Sequence, residues 1–365
     1  MHLYLHIPFC ARRCSYCDFA IAVRREVPSR QYVDAVLGEW RSALQQDGWV
    51  LESPVATIHL GGGTPSRLAP GEILRLLQGL RTDAELAPDV EIALEANPDD
   101  VSPEAVACWR DAGVNRVSLG VQSFDDRVLQ WMHRTHDVAQ VGRAVDTVRG
   151  AGIGNVSLDL IFALPATLER NWARDLDAAF ALEPTHLSLY GLTVEPGTPL
   201  GRWTARGECR TTDDETYAAE YLLAAERFNA TGWDHYEVSN AARPGFRSRH
   251  NQAYWQRRDY LGLGPSAHSA HGRTRRWNIR EWAAWQHATA EGRPTVDASE
   301  TLSDAQELLE RRYLGLRTSS GVEAELISAG VRARWVDAGW ARESDGRIML
   351  TIEGWLRLDA LIASL

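Results

Sequence analysis

An α/β fold is predicted for this chain, a partial (β/α)6 barrel followed by a helical, winged-helix-like carboxyl-terminal region. Six short apolar or β-branched runs, segments of helical periodicity between them, and a change of texture near Thr211 carry that expectation. The runs cover residues 3–7, 55–60, 90–95, 116–121, 155–162 and 186–192, and the helical segments cover 30–46, 71–80, 103–112, 137–151 and 168–182. Strict alternation of the two implies parallel strands joined by right-handed crossovers. Ser102-Pro103 marks a helix start, with Ser as cap and Pro in the first turn. Six units fall short of the eight that close a barrel, so the sheet is expected to stay open.

After Thr211 a helical run over 213–229 leads into an Arg-, Trp- and Gly-rich stretch from Gly232 to about Arg280, expected to be irregular and to cover the barrel. Ser303-Asp304-Ala305-Gln306 then reads as a capping box, and Asp345-Gly346 as a tight hairpin ahead of a last helix. The expected division is 1–210 for the barrel and its site, 211–300 for the cover, and 301–365 for the winged-helix-like module. Residues 302–365 hold ten acids and eight Arg, so this module is expected to dock or support rather than bind nucleic acid.

The 365 residues, 44% hydrophobic, are enough for a sizeable core. No apolar run approaches the roughly 18–20 residues of a membrane span, and the first residues have no secretory pattern, so a cytoplasmic protein is expected. A net charge of −10 argues against broad charge-driven binding to nucleic acid or anionic membrane. All 39 basic residues are Arg, and the absence of Lys excludes Schiff-base chemistry, pyridoxal phosphate attachment and a Walker-type phosphate loop.

The five cysteines are Cys10, Cys14, Cys17, Cys108 and Cys209, and the first three form C-x3-C-x2-C directly after the first strand. Three thiolates can hold a 4Fe-4S cluster by three irons and leave the fourth open to an outside ligand. A zinc site completed by His2, His6 or Asp18, or a Cys14/Cys17 redox pair, are the alternatives. Cys108 and Cys209 stand alone. Gly61-Gly62-Gly63-Thr64-Pro65 follows the second strand and lets backbone approach a ligand closely. Glu95 and Gln122 end the third and fourth runs and Asp159 lies in the fifth, so three polar side chains converge on the rim that carries the cysteines. Further on, His250-Asn251-Gln252-Ala253-Tyr254-Trp255 sets a His beside two aromatics, an iron ligand with flat apolar walls of the kind a heme pocket needs. His268 and His271 are candidates for a second ligand. The G-x-G-x-x-A run over 262–267 lacks the strand-helix unit of a dinucleotide site and contains Pro265.

Tyr4-Leu5-His6-Ile7-Pro8-Phe9-Cys10, Cys14 and Tyr16-Cys17-Asp18-Phe19 resemble the radical S-adenosylmethionine (SAM) enzymes of the coproporphyrinogen dehydrogenase group. The resemblance runs through nearly the whole chain. It implies a radical SAM barrel whose cluster chelates the amino and carboxylate groups of SAM, and an electron from the cluster that cleaves a carbon–sulfur bond to give a 5′-deoxyadenosyl radical. By the same resemblance, Gly61, Gly62, Gly63 and Thr64 match the motif that holds the SAM amino group. Glu95, Gln122 and Asp159 match polar SAM contacts, Arg134 matches an arginine facing the carboxylate, and Tyr4 matches an aromatic beside cluster and cofactor.

Two features separate the chain from the dehydrogenase: Phe19 stands where that enzyme has a fourth Cys, and nine residues before Cys10 leave no room for its amino-terminal arm. The 250–255 run instead matches the H-N-x-x-Y-W hallmark of the heme chaperones of this superfamily. The expected function is therefore to bind heme, with His250, Tyr254 and Trp255 at the site, and to pass it to an acceptor hemoprotein with the help of a 4Fe-4S cluster and SAM. An oxygen-independent coproporphyrinogen III dehydrogenase is the competing reading, and a metal-stabilised carrier without radical chemistry the third.

Overall fold

The structure is a computed structural model that describes residues 1–46 and 54–365. Each of the six apolar runs is a strand: β1 (His2–Ile7), β2 (Val55–Gly62), β3 (Leu86–Ala96), β4 (Arg116–Gln122), β5 (Asn155–Phe162) and β6 (His186–Gly191). They pair in parallel in that order. Each contributes a fully buried side chain, Leu5, Ile58, Leu94, Leu119, Leu158 and Leu187 in turn, as parallel strands covered by crossover helices require.

The crossovers contain α1 (Ser29–Gln46), α2 (Pro70–Asp83), α3 (Pro103–Asp111), α4 (Asp126–Trp131), α5 (Val138–Gly150) and α6 (Trp172–Ala181). Ser102 Oγ caps α3 by accepting from Ala105 N, and Asp137 with Gln140 forms a reciprocal box on α5. α6 starts later than the periodicity from residue 168 suggests. Residues 166–168 make a separate turn, Glu169 takes φ 49°, and Asn171 caps the helix by accepting from Arg174 N.

The stretch after Gly232 is not irregular. It contains β7 (Asp234–Glu237), β8 (Asn240–Ala242), a helix Arg249–Trp255, β9 (Tyr260–Leu263), β10 (His268–His271) and β11 (Thr274–Asn278), with β12 (Val296–Thr301) beyond them. β9 adds to β1 in parallel, β10 to β12 continue outward antiparallel, and β8 and β7 extend the other side past β6. One twelve-stranded sheet results, in the order β12-β11-β10-β9-β1-β2-β3-β4-β5-β6-β8-β7. β1 is therefore interior, between β9 and β2, and the sheet continues past residue 210. These strands escape a sequence reading because they have three to six residues each and are largely polar; in β12 only Val296 and Ala298 are partly buried.

One side chain of the first crossover helix gathers four hydrogen bonds from the late segments. Buried Glu39 of α1 accepts from Gly264 N at 2.7 Å, Asn278 Nδ2 at 2.7 Å, Trp285 Nε1 at 3.2 Å and Thr295 Oγ1 at 2.6 Å. At the carboxyl end, the Ser303 capping box opens a helix Asp304–Leu316. Asp345 (φ 52°) and Gly346 (φ 71°) then turn a hairpin between strands Ala341–Ser344 and Arg347–Leu350. Ile348, Trp355 and Leu358 join this module to the main core. Among the described residues no helix is long and apolar enough to cross a membrane.

Candidate functional site

The carboxyl ends of the parallel strands open onto a cavity of about 430 Å³. After β1 the chain turns through Pro8, and Phe9 and Cys10 pair with Ala22 and Val23, which ties the base of the cysteine loop. Cys10, Cys14 and Cys17 all line the cavity, whereas Cys108 and Cys209 do not; all five are free thiols. Thr64 Oγ1 donates to Cys10 Sγ at 3.4 Å and Arg134 Nη1 to Cys14 Sγ at 3.5 Å. Burial pushes the Cys10 thiol up and the Cys17 thiol up to about 11, although the Thr64 and Phe19 hydrogen bonds oppose it. Thiols held this way give up their protons when a cation takes their place.

The other ligand sets are less well placed. His6 is engaged at both ring nitrogens, by Tyr4 OH at 3.1 Å and Ala20 O at 2.9 Å, and His2 is bonded to Thr57 Oγ1 at 2.9 Å. Neither lines the cavity, though Asp18 does.

Only glycine lets the end of β2 lie against the cysteine loop. Gly62 has φ 115°, and a Cβ on Gly63 would come within 2.8 Å of the Pro8 carbonyl and 3.0 Å of Cys10 Sγ. Gly62 N donates to Glu95 Oε2 at 3.2 Å. Gln122 at the end of β4 takes φ 70°, outside strand geometry, and reaches the cavity wall. Asp159 accepts from Ser118 Oγ at 2.9 and 3.1 Å, and burial raises its carboxyl to about 6 against the pull of its Ser188 and Ser118 hydrogen bonds. Arg134, from the loop after α4, spans the wall: Nη2 donates to Asn97 Oδ1 at 2.6 Å and Gly120 O at 2.8 Å, while its buried Nε has no partner.

Cys10, Cys14, Cys17, Gly62, Gly63, Thr64, Glu95, Gln122, Arg134 and Asp159 thus share one wall. Gly61 and Tyr4 stand directly behind it: a Cβ on Gly61 would come 3.0 Å from Glu95 Oε1, the His59 ring and the Tyr4 ring. Sequence reasoning missed Asn97, Ser118, His133 and Tyr190, which line the same cavity. Ser118, Asn97 and Tyr190 lie in or just after barrel strands, so the rule that selected Glu95 and Gln122 applies to them also.

His250, Tyr254 and Trp255 do not form the single open pocket expected of them. They sit on the short helix Arg249–Trp255, where residues four apart share a face and the fifth turns away. His250 is 1% exposed; its Nδ1 is bonded to Thr57 Oγ1 at 2.6 Å and its Nε2 to Tyr254 OH at 2.8 Å, so neither ring nitrogen is free for iron. Trp255 faces a different cavity of about 350 Å³, with the Arg317 guanidinium 4.5 Å over its ring. His268 stacks on Trp277 at 5.8 Å and His271 pairs with Asp259 at 3.0 Å, both on β10.

Comparison with known proteins agrees with this architecture. The family model described as the radical SAM superfamily matches residues 4–178. The chain is 36% identical over 376 residues to the heme chaperone HemW of Mycobacterium tuberculosis, covering 100% of this chain and 94% of that protein. It is 38% identical over 270 residues to HemW of Escherichia coli strain K12, covering 73% and 69%. Among solved structures, coproporphyrinogen III oxidase (HemN) of Escherichia coli, described as a radical SAM enzyme, superposes with a TM-score of 0.81 at 22% identity, covering 99% of this chain and 88% of that one. The oxidase shares the fold, but the relatives that align at more than a third identity from end to end carry another name, and it is with them that the chain belongs, in the HemW family of the radical SAM superfamily.

Proposed function

We propose that the protein is a cytoplasmic heme chaperone that carries a 4Fe-4S cluster and SAM and hands heme to an acceptor hemoprotein. The end-to-end alignment with proteins named heme chaperone carries this reading. The cavity wall fits the two cofactors on its own chemistry: three thiols on one tied loop, glycines packed where a Cβ would collide, and a buried Arg134 Nε still lacking an acceptor. Cys10, Cys14 and Cys17 hold the cluster. Gly62, Gly63, Thr64, Glu95, Gln122, Arg134 and Asp159 grip SAM, with Gly61 and Tyr4 behind them. When bound, the pair supplies one-electron chemistry at the SAM sulfonium.

The residues of the wall have separable tasks. Glu95, fixed by Gly62 N and His59, presents a carboxylate oxygen to an ammonium group. Arg134 offers its fork to a carboxylate while it steadies Cys14. Phe19, 62% exposed, and Tyr190, 46% exposed, give the cavity mouth two flat apolar faces that suit a planar macrocycle. Heme iron reaches His250 only if its helix leaves its place and gives up the Thr57 and Tyr254 hydrogen bonds.

Anaerobically reconstituted protein titrated with heme is expected to take up about one heme per chain with a defined Soret band. The same protein given SAM, a reductant and coproporphyrinogen III is expected to form no decarboxylated product. Chromatographic detection of protoporphyrinogen over many turnovers would overturn the chaperone reading.

A second expectation concerns pH. Because the Asp159 carboxyl is raised to about 6, its acceptor form grows as pH rises through that value. SAM affinity should therefore increase, by roughly tenfold at most, from one pH unit below to one above. In Asp159→Asn the rise should vanish; calorimetry showing the same slope in both proteins removes Asp159 from the site.

A further inference from the structure

A tightly held group lies directly behind the cavity wall, on the H-N-x-x-Y-W helix. His250 is fixed from several directions. Its Nδ1 is bonded to Thr57 Oγ1 at 2.6 Å, and Thr57 is itself held by His2 Nδ1 at 2.9 Å. Its Nε2 is bonded to Tyr254 OH at 2.8 Å, and its backbone N donates to buried Glu91 at 3.1 Å. Burial, with the His59 and His2 rings nearby, keeps the imidazole neutral, so one nitrogen donates and the other accepts.

Such a ring is a fixed plane, and another lies on it. The His59 ring is 5.0 Å away at an interplanar angle of 22°, and Tyr4 stacks on His59 at 6.0 Å and 22°. Held in that stack, His59 makes one polar contact at its ring: Nε2 is bonded to Glu95 Oε1 at 2.9 Å, while its buried Nδ1 has no partner. Glu95 is therefore anchored by His59 at one oxygen and by Gly62 N at the other. Gly61 leaves the room for this, since a Cβ there would stand 3.0 Å from Glu95 Oε1 and from both neighbouring rings.

We propose that His250 is a positioning residue for Glu95: by fixing the plane of His59, it sets the direction in which the Glu95 carboxylate faces the cavity. The inference rests on the reading of Glu95 as a SAM contact and gives the H-N-x-x-Y-W helix a task in the cofactor site. The chain of contacts runs from Tyr254 and Thr57 through His250 and His59 to Glu95. If it is cut, Glu95 keeps a single anchor and the SAM ammonium loses a pre-oriented acceptor.

His250→Phe retains a flat ring but neither hydrogen bond. It is expected to weaken SAM binding roughly tenfold by calorimetry, with cluster iron and heme stoichiometry unchanged. Because the effect passes through Glu95, His250→Phe should cost nothing further in a Glu95→Gln background, a non-additivity that general loosening of the fold would not give. Should His250→Phe fail to fold, Tyr254→Phe removes one hydroxyl only and is expected to weaken SAM about two- to threefold in the same direction. Unchanged SAM affinity, full additivity in the double variant, or loss of heme with SAM binding intact would each overturn the proposal. If Glu95→Gln alone leaves SAM affinity unchanged, the reading of Glu95 has failed first, which is a different signature from an inert His250.

Discussion

Serine at Cys14 is expected to strip the purified, anaerobically reconstituted protein of most of the close to four irons that the wild type should hold. Cys14 is the middle of three thiols on one loop and accepts from Arg134, so in the proposed site it would be both a cluster corner and the link between the cysteine loop and the cavity wall. A serine hydroxyl is far harder to deprotonate than a thiol and bonds iron poorly. With two thiolates left, a cubic cluster has two open corners and is lost to solvent. Cys10→Ser and Cys17→Ser should behave alike, whereas Cys108→Ser and Cys209→Ser, away from the cavity, should leave the spectrum unchanged. Iron and sulfide analysis decides the matter. A full cluster in Cys14→Ser, or zinc in place of iron in the wild type, would sink the assignment.

The cysteine loop is legible in sequence because its chemistry is local: three residues within eight positions, placed by the end of one buried strand. The strand-end residues are legible for a different reason. The parallel β-α alternation brings the carboxyl ends of all its strands to one rim, so Glu95, Gln122 and Asp159 meet although far apart in the chain. Arg134 obeys neither rule. It sits in a loop after a short helix that the periodicity did not announce, and only the family resemblance marked it.

The later half is harder to read. β9 is buried between β1 and β10, yet it is four residues long, too short for its period to stand out among arginines and turns. The 250–255 motif misled in another way. Adjacency in sequence suggested one pocket, but a helix turns successive residues by about 100°, so His250 and Tyr254 share a buried face and Trp255 lies on another. The geometry of three side chains was contained in their spacing; what the spacing does not contain is His59, which comes from a different strand and completes the stack.

Arg134→Ala is expected to reduce SAM affinity by roughly ten- to a hundredfold with the cluster iron retained. The guanidinium lines the cavity, and three of its five N–H groups already donate, to Cys14 Sγ, Asn97 Oδ1 and Gly120 O. Those bonds hold the fork in place and leave the unpartnered Nε and the second N–H of Nη1 as donors for an incoming carboxylate. Removing the side chain therefore deletes the ligand's cationic contact and leaves two oxygens of the protein without a donor, each costing about 1–3 kcal/mol where water cannot replace it. Arg134→Lys separates the two losses. An ammonium restores the charge but cannot reach Asn97, Gly120 and the ligand at once, so its affinity should fall between wild type and Arg134→Ala. Equal SAM affinity in all three proteins would show that Arg134 serves the cysteine loop alone. Loss of iron in Arg134→Ala would show that its contact with Cys14 is what keeps the cluster in place.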